Sequence, residues 1–177
     1  MHRRQLGFNL VELSVATTIL AILSALALPS LASLVSAHRL ATVTNELHTS
    51  LVFTRSEAIK RGRRVSLCTS SDLERCVSGV GWHSGWIVFE DPNGNAQREE
   101  GETVLYAARA AEGGVVVTGN TPVRNYVSYL PSGRTALTDG ALQMGTITAC
   151  GEGRARRIVI SATGRARLVR EAECGKG

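Results

Sequence analysis

Residues 8–28 form an apolar run carrying one formal charge, Glu12. A stretch of about 20 apolar residues is long enough to cross a bilayer as a helix. A carboxylate near the centre of such a helix costs about 2.5–3.5 kcal/mol on insertion scales, so it is read by default as functional. The residues before the run, Met1-His2-Arg3-Arg4-Gln5-Leu6-Gly7, make a short basic leader. Arg3 and Arg4 hold that end in the cytoplasm. Ala25-Leu26-Ala27 has the small-residue look of a secretory cleavage site. The length of the run, the acid inside it and the helical pattern beyond Pro29 favour a retained helix instead.

Gly7-Phe8-Asn9-Leu10-Val11-Glu12-Leu13 resembles the class III signal of type IV pilins and type II secretion pseudopilins. The resemblance implies that a prepilin peptidase cuts after Gly7, that Phe8 becomes the N-methylated first residue, and that Glu12 serves assembly. Physics agrees: cleavage leaves a cationic amine on Phe8, which the Glu12 carboxylate of a neighbouring subunit neutralises. An isolated subunit lacks that partner, so the pair favours association in register. The expected place before assembly is the inner membrane, crossed once, with the head in the periplasm. After assembly it is the cell surface.

Beyond Pro29, Leu40, Val43, Leu47, Leu51 and Ala58 recur at helical spacing, with a double step across Thr54. Arg39, Thr42, Glu46, Thr49 and Lys60 fall elsewhere on the wheel. Pro29 is expected to bend the helix. Gly62 ends it, with Lys60 and Arg61 in the last turn. The expected divisions are a leader (1–7), a membrane or filament-core helix (8–28), an amphipathic half (29–61) and a head (62–177).

The head reads as short strands at 64–68, within 81–91, and at 103–106, 115–118, 126–130, 145–150, 157–160 and 167–170. Turn clusters such as Pro92-Asn93-Gly94-Asn95 and Pro131-Ser132-Gly133 separate them. The fold class is therefore α+β: a long N-terminal helix packed on an antiparallel β-sandwich-like head. Four cysteines in an exported chain imply disulfides. Three connectivities are open, and Cys68–Cys76 with Cys150–Cys174 is favoured because each pair flanks a hairpin or terminal strand. A four-thiolate zinc site lacks the short Cys-x-x-Cys spacings.

The stretches Arg55-Ser56-Glu57-Ala58-Ile59-Lys60-Arg61, Val65-Ser66-Leu67-Cys68, Gly85-Trp86-Ile87-Val88-Phe89-Glu90-Asp91 and Ile158-Val159-Ile160-Ser161-Ala162-Thr163-Gly164-Arg165 resemble the FimT/GspH group of minor pilins and pseudopilins. Their partners are other pilins in a filament.

Charge sharpens the reading. The net +5 falls to +3 without Arg3 and Arg4, but from residue 124 onward nine basic residues face four acidic ones. Gly-Arg-Ala-Arg occurs twice, at 153–156 and 164–167. A Gly-Arg-x-Arg element near the C-terminus resembles the DNA-binding motif of FimT-type pilins that act in natural transformation, matched here by Gly164, Arg165 and Arg167. Arg154, Arg156, Arg157 and Arg170 extend the candidate set. Guanidinium forks suit phosphate, and capturing arbitrary double-stranded DNA requires phosphate contacts without base readout. The competing readings are a solvated arginine-rich hairpin on a purely structural minor pilin, which primes or caps the filament, and a type II secretion pseudopilin.

Asp91-x-Asn93-x-Asn95, with Glu102 at the twelfth position, partly matches a calcium loop. Ala96 stands where the template has glycine, Pro92 is unusual and no second helix follows, so a polar turn is expected and no metal. Trp86 is expected in the core, and Trp82 is a weak candidate for base stacking. His38, His48 and His83 are scattered. With no nucleophile set, phosphate loop or metal triad, neither a cofactor nor an enzyme is expected.

Overall fold

The computed structural model describes residues 9–171 and Cys174, without the side chains of residues 25–30, 170 and 171. One helix, α1 (Leu10–Arg61), is followed by eight strands: β1 (Val65–Thr69), β2 (Trp86–Glu90), β3 (Val104–Ala108), β4 (Val116–Gly119), β5 (Tyr126–Tyr129), β6 (Gly145–Gly151), β7 (Arg154–Ile160) and β8 (Ala166–Glu171). The backbone stays helical through Pro29. The chain divides into two compact units, Met1–Ser36 and Ala37–Gly177.

In the first unit the helix surface is apolar and open. Leu10, Val11, Leu13, Leu20 and Leu23 are all more than half exposed. Its hydroxyls turn inward on their own helix: Ser14 donates to Leu10 O (2.8 Å), Thr18 to Ser14 O (2.7 Å) and Ser24 to Leu20 O (2.8 Å). Among the described residues no helix is long and apolar enough to cross a membrane.

The second unit has one main core. Leu40, Val43, Leu47, Leu51 and Ala58 of α1 are buried against residues from both sheets: Val65, Leu67, Trp86, Val88, Val127 and Tyr129 on one side, Val117, Ile147, Ile158 and Ile160 on the other. Thr54, which interrupts the apolar stripe, is also fully buried, and so is Ser50. Thr54 donates to Ser50 O (2.6 Å) and Ser50 to Glu46 O (2.9 Å), which removes the penalty of an unpaired hydroxyl. Trp86 Nε1 then donates to Ser50 Oγ (2.9 Å).

One sheet has the order β3-β2-β1-β5 and the other β4-β6-β7-β8, all antiparallel. The first is buried on both faces at β1 and β2, its outer face covered by Cys68, Ile87 and Phe89 with Leu73 and Cys76. Cys68 is bonded to Cys76, and Cys150 to Cys174, so all four sulfurs are used in pairs and none is left for zinc.

Several details differ from the sequence reading. β7 begins at Arg154 and not at residue 157, so Arg154 and Arg156 lie within a strand and not ahead of it. Two pairings, β1–β5 and β4–β6, skip over chain neighbours. Short 3-10 turns at Trp82–Ser84 and Thr121–Val123 were not expected. The first carries Trp82 into the core, where Nε1 donates to Val123 O (3.0 Å), so Trp82 cannot stack on a base. At the helix end, Arg61 bonds Glu57 Oε2 (2.5 Å) and Glu90 Oε1 (2.6 Å). The Arg61 guanidinium holds the Glu57 carboxyl below the usual range.

Leu47 lies at the centre of the helix stripe with no exposure. Leu47→Ala is expected to lower unfolding free energy by about 2–5 kcal/mol, read from urea denaturation.

Candidate nucleic-acid interface

β7 and β8 form a hairpin closed by Gly164 N to Ser161 O (2.8 Å) and Ser161 N to Arg165 O (3.1 Å). Cross-strand partners include Val159 with Arg167 and Arg157 with Val169. Partners lie on one side of a sheet and residues two apart share it. Arg157, Val159, Arg165, Arg167 and Val169 therefore occupy one face. Arg156, Ile158 and Ile160 occupy the other, where the two isoleucines are in the core and Arg156 Nη1 reaches Asn45 Oδ1 of α1 (3.5 Å). Arg154, at the start of β7, has the parity of Arg156 and is exposed. Arg170 pairs by backbone with Arg156, and its side chain lies outside the described residues, as do Gly7 and Phe8. Among the described side chains, Arg157, Arg165 and Arg167 are thus divided from Arg154 and Arg156 by the two faces of one sheet.

Arg165 and Arg167 are exposed, and neither makes an ion pair among the described residues. What holds them out is the packing beneath. Arg55 of α1 donates from Nε to Gly133 O (2.9 Å) and from Nη2 to Thr163 O (3.2 Å), tying the turn after β5 to the hairpin tip. His48 Nε2 meets Ala166 O at 3.2 Å. Gly164 is buried at φ 79°, and a Cβ there would overlap Gly133 O. The motif glycine is thus occupied by the protein's own turn and is not free to approach a phosphate. The adjoining turn presents Arg134, also exposed. Sequence spacing carries no signal for the Arg55–Gly133–Gly164 cluster, whose members come from three separate segments.

The β2–β3 loop is the other polar cluster. Asp91 is fully buried: its Oδ2 accepts from Ser66 Oγ (2.5 Å) and Ala96 N (3.2 Å). Glu102 is 8 % exposed, and burial, together with the Asp91 charge, pushes its carboxyl above the usual range, against the bond from Glu99 N. Asp91 Oδ1 and Glu102 Oε1 have no hydrogen-bond partner among the described residues. No three His, Cys, Asp or Glu side chains gather as a metal set among those residues.

A helix laid on antiparallel sheets, with an apolar N-terminal surface left open, is the architecture of a pilin-like filament subunit. The family described as Type II transport protein GspH matches residues 43–164, and the chain belongs to it: it is a type IV minor pilin or pseudopilin of the GspH/FimT type. Two crystal forms of the type IV minor pilin FimU from Pseudomonas aeruginosa are similar in structure. Their TM-scores are 0.56 and 0.53, each at 19 % identity; the likeness covers 75 % and 72 % of this chain and 90 % of FimU in both cases. The minor pseudopilin EpsH from the Vibrio cholerae type 2 secretion system gives a TM-score of 0.46 at 14 % identity, over 71 % of this chain and 92 % of EpsH. No curated protein matches the chain. At 19 % identity the likeness to FimU shows the fold.

Two outcomes are expected. Gly164→Ala should destabilise the chain by about 1–3 kcal/mol, from its positive φ and the overlap with Gly133, in a thermal or urea melt. The raised Glu102 carboxyl has the opposite sign from a salt-bridged acid. Its contribution to stability is present below the unfolded carboxyl value and is lost as pH rises through the folded value. Glu102→Gln in chelator should therefore melt higher than the parent near pH 7, with the gap closing near pH 4.

Proposed function

We propose that this chain is a minor type IV pilin that carries double-stranded DNA contacts on the β7–β8 hairpin and serves uptake of extracellular DNA in natural transformation. The observation that carries the reading is the exposure of Arg165 and Arg167, without an acidic partner among the described residues, beside the exposed Arg134. Arg157 shares the face, diagonal to Arg167. A sheet face bearing guanidinium groups can follow a phosphate backbone, a contact that carries no sequence information. Binding is then independent of sequence and steeply dependent on salt. The role is one of binding and assembly, without catalysis.

The N-terminal unit supports an anchor that later becomes filament core. Its open apolar surface needs a partner, lipid first and neighbouring helices afterwards. Hydroxyls satisfied on their own helix suit both surroundings. In this reading prepilin peptidase cuts after Gly7, Phe8 is methylated, the helix from residue 8 to 28 spans the inner membrane once with the head in the periplasm, and Glu12 meets the Phe8 amine of a neighbour in the filament. A second reading, a structural subunit that primes or caps a pilus or secretion filament, is favoured by Arg55 and Arg156 being engaged within the chain.

Anisotropy titrations of the detergent-solubilised chain on duplex DNA test the first reading. Arg165→Gln with Arg167→Gln should weaken binding alike on every sequence and lower the slope of log K against log salt by about 2. Equal binding by parent and double variant sinks it. For the anchor, Glu12→Gln should cut incorporation into filaments by at least about tenfold, as expected from loss of a buried ion pair, while leaving the membrane-bound pool unchanged on immunoblots.

A further inference from the structure

The β2–β3 loop holds two buried carboxylate oxygens that nothing in the described chain satisfies, Asp91 Oδ1 and Glu102 Oε1. Buried carboxylates are ordinarily hydrogen-bonded, paired or bound to metal. Two in one loop, each more than nine-tenths buried with one oxygen unpaired among the described residues, call for a cation. We propose that residues 91–102 form a calcium site, with Asp91, Asn93, Asn95, the Gln97 main-chain carbonyl and Glu102 as oxygen donors, and Glu99 at the ninth position acting through water.

Those residues stand at positions 1, 3, 5, 7, 9 and 12 of the twelve-residue calcium loop. The template places glycine at position 6 because the chain turns sharply there. Ala96 takes that turn at φ 57° with 1 % exposure, so the missing glycine is no obstacle. Asn93 Oδ1 accepts Asn95 N (3.1 Å) and Asn95 Oδ1 accepts Gln97 N (2.8 Å), which leaves each amide oxygen a second lone pair. No hydrogen bond reaches Gln97 O among the described residues. The Glu99 carboxylate is held over the loop by Asn93 Nδ2 (3.1 Å) and Asn95 Nδ2 (2.8 Å).

The two helices that flank such loops elsewhere are replaced by strands. Glu90 N donates to Thr103 O (3.0 Å) and Asp91 N to Arg64 O (3.0 Å), which fixes both ends of the loop on the sheet. Arg64 donates to Gly94 O (2.8 Å), at position 4, where no ligand is needed. Arg98 faces Glu102 through its main-chain oxygen (3.2 Å). Asp91 and Glu102 thus bring two carboxylates to the ion, beside the guanidinium groups of Arg64 and Arg98. Neutral amides at positions 3 and 5 lower affinity, so the expected dissociation constant is about 10⁻⁴–10⁻³ M, the range of extracellular modules. Calcium is favoured over magnesium because the donors are mixed, numerous and carried on a loop, whereas magnesium demands a tight octahedron.

The test is isothermal titration of the detergent-solubilised full chain with calcium chloride, alongside thermal melts in chelator, in calcium and in magnesium at about 10 mM, above the expected dissociation constant. Calcium is expected to raise the melting midpoint and magnesium to leave it near the chelator value. Glu102→Gln should weaken calcium binding at least tenfold while melting no lower than the parent in chelator. Asn95→Ala, on the exposed rim, is the second variant, expected to weaken binding severalfold with the fold intact. No calcium-dependent heat or shift, an equal shift with magnesium, or unchanged calcium binding in both variants overturns the proposal.

Discussion

The apolar stripe of the helix, from Leu40 to Ala58, is the contact on which the head depends. It covers the inner faces of both sheets, so Val88 and Ile158, on different sheets, share one cover. The residues that break its apolar pattern, Ser50 and Thr54, remain compatible with burial because their hydroxyls bond carbonyls one turn back. One of them then receives the indole of Trp86, so a polar position in the stripe becomes a fixed point between helix and sheet. Strand β2 is buried on both faces from Trp86 to Phe89, which is why Trp-Ile-Val-Phe lacks the apolar–polar alternation of a half-exposed strand.

From that helix the arginine hairpin takes its position. Arg55 bridges two turns that are distant in sequence, and Gly164 lets them touch. The arginines therefore fall into two kinds. Arg55 and Arg156 build the head through contacts with main-chain oxygens and Asn45, while Arg165 and Arg167 are left with their charge in solvent. Strand alternation makes this division: residues one apart on β7 face opposite sides, so a run of basic residues cannot act as a single surface.

The β2–β3 loop departs from the ordinary rule that buried polar atoms are paired. Asp91 serves two structures, closing the Ser66–Ser128 hydroxyl pair within the sheet and anchoring Ala96 in the loop, yet keeps one oxygen unmatched. Local violations of this kind are where proteins keep function, because stability alone would have removed them.

The helix stripe, the stop at Gly62 and most of the strands were legible in the sequence, because periodicities of 3.6 and 2 follow from backbone geometry alone. The basic surplus after residue 124 was legible as well, since charge and spacing are linear properties. Three things were not. That β7 starts at Arg154, and so divides the arginines, depends on pairing with β6, whose register is a long-range property. The 3-10 turn at residues 82–84, which buries Trp82, has no repeat long enough to read. The crowding of Gly164 against Gly133, and the burial of Asp91 beside Glu102, arise only when separate segments meet. Local order determined which elements form; the tertiary structure decided which charged groups face water and which lie stranded beneath it, because burial is fixed by what lies across the fold and not by what lies next along the chain.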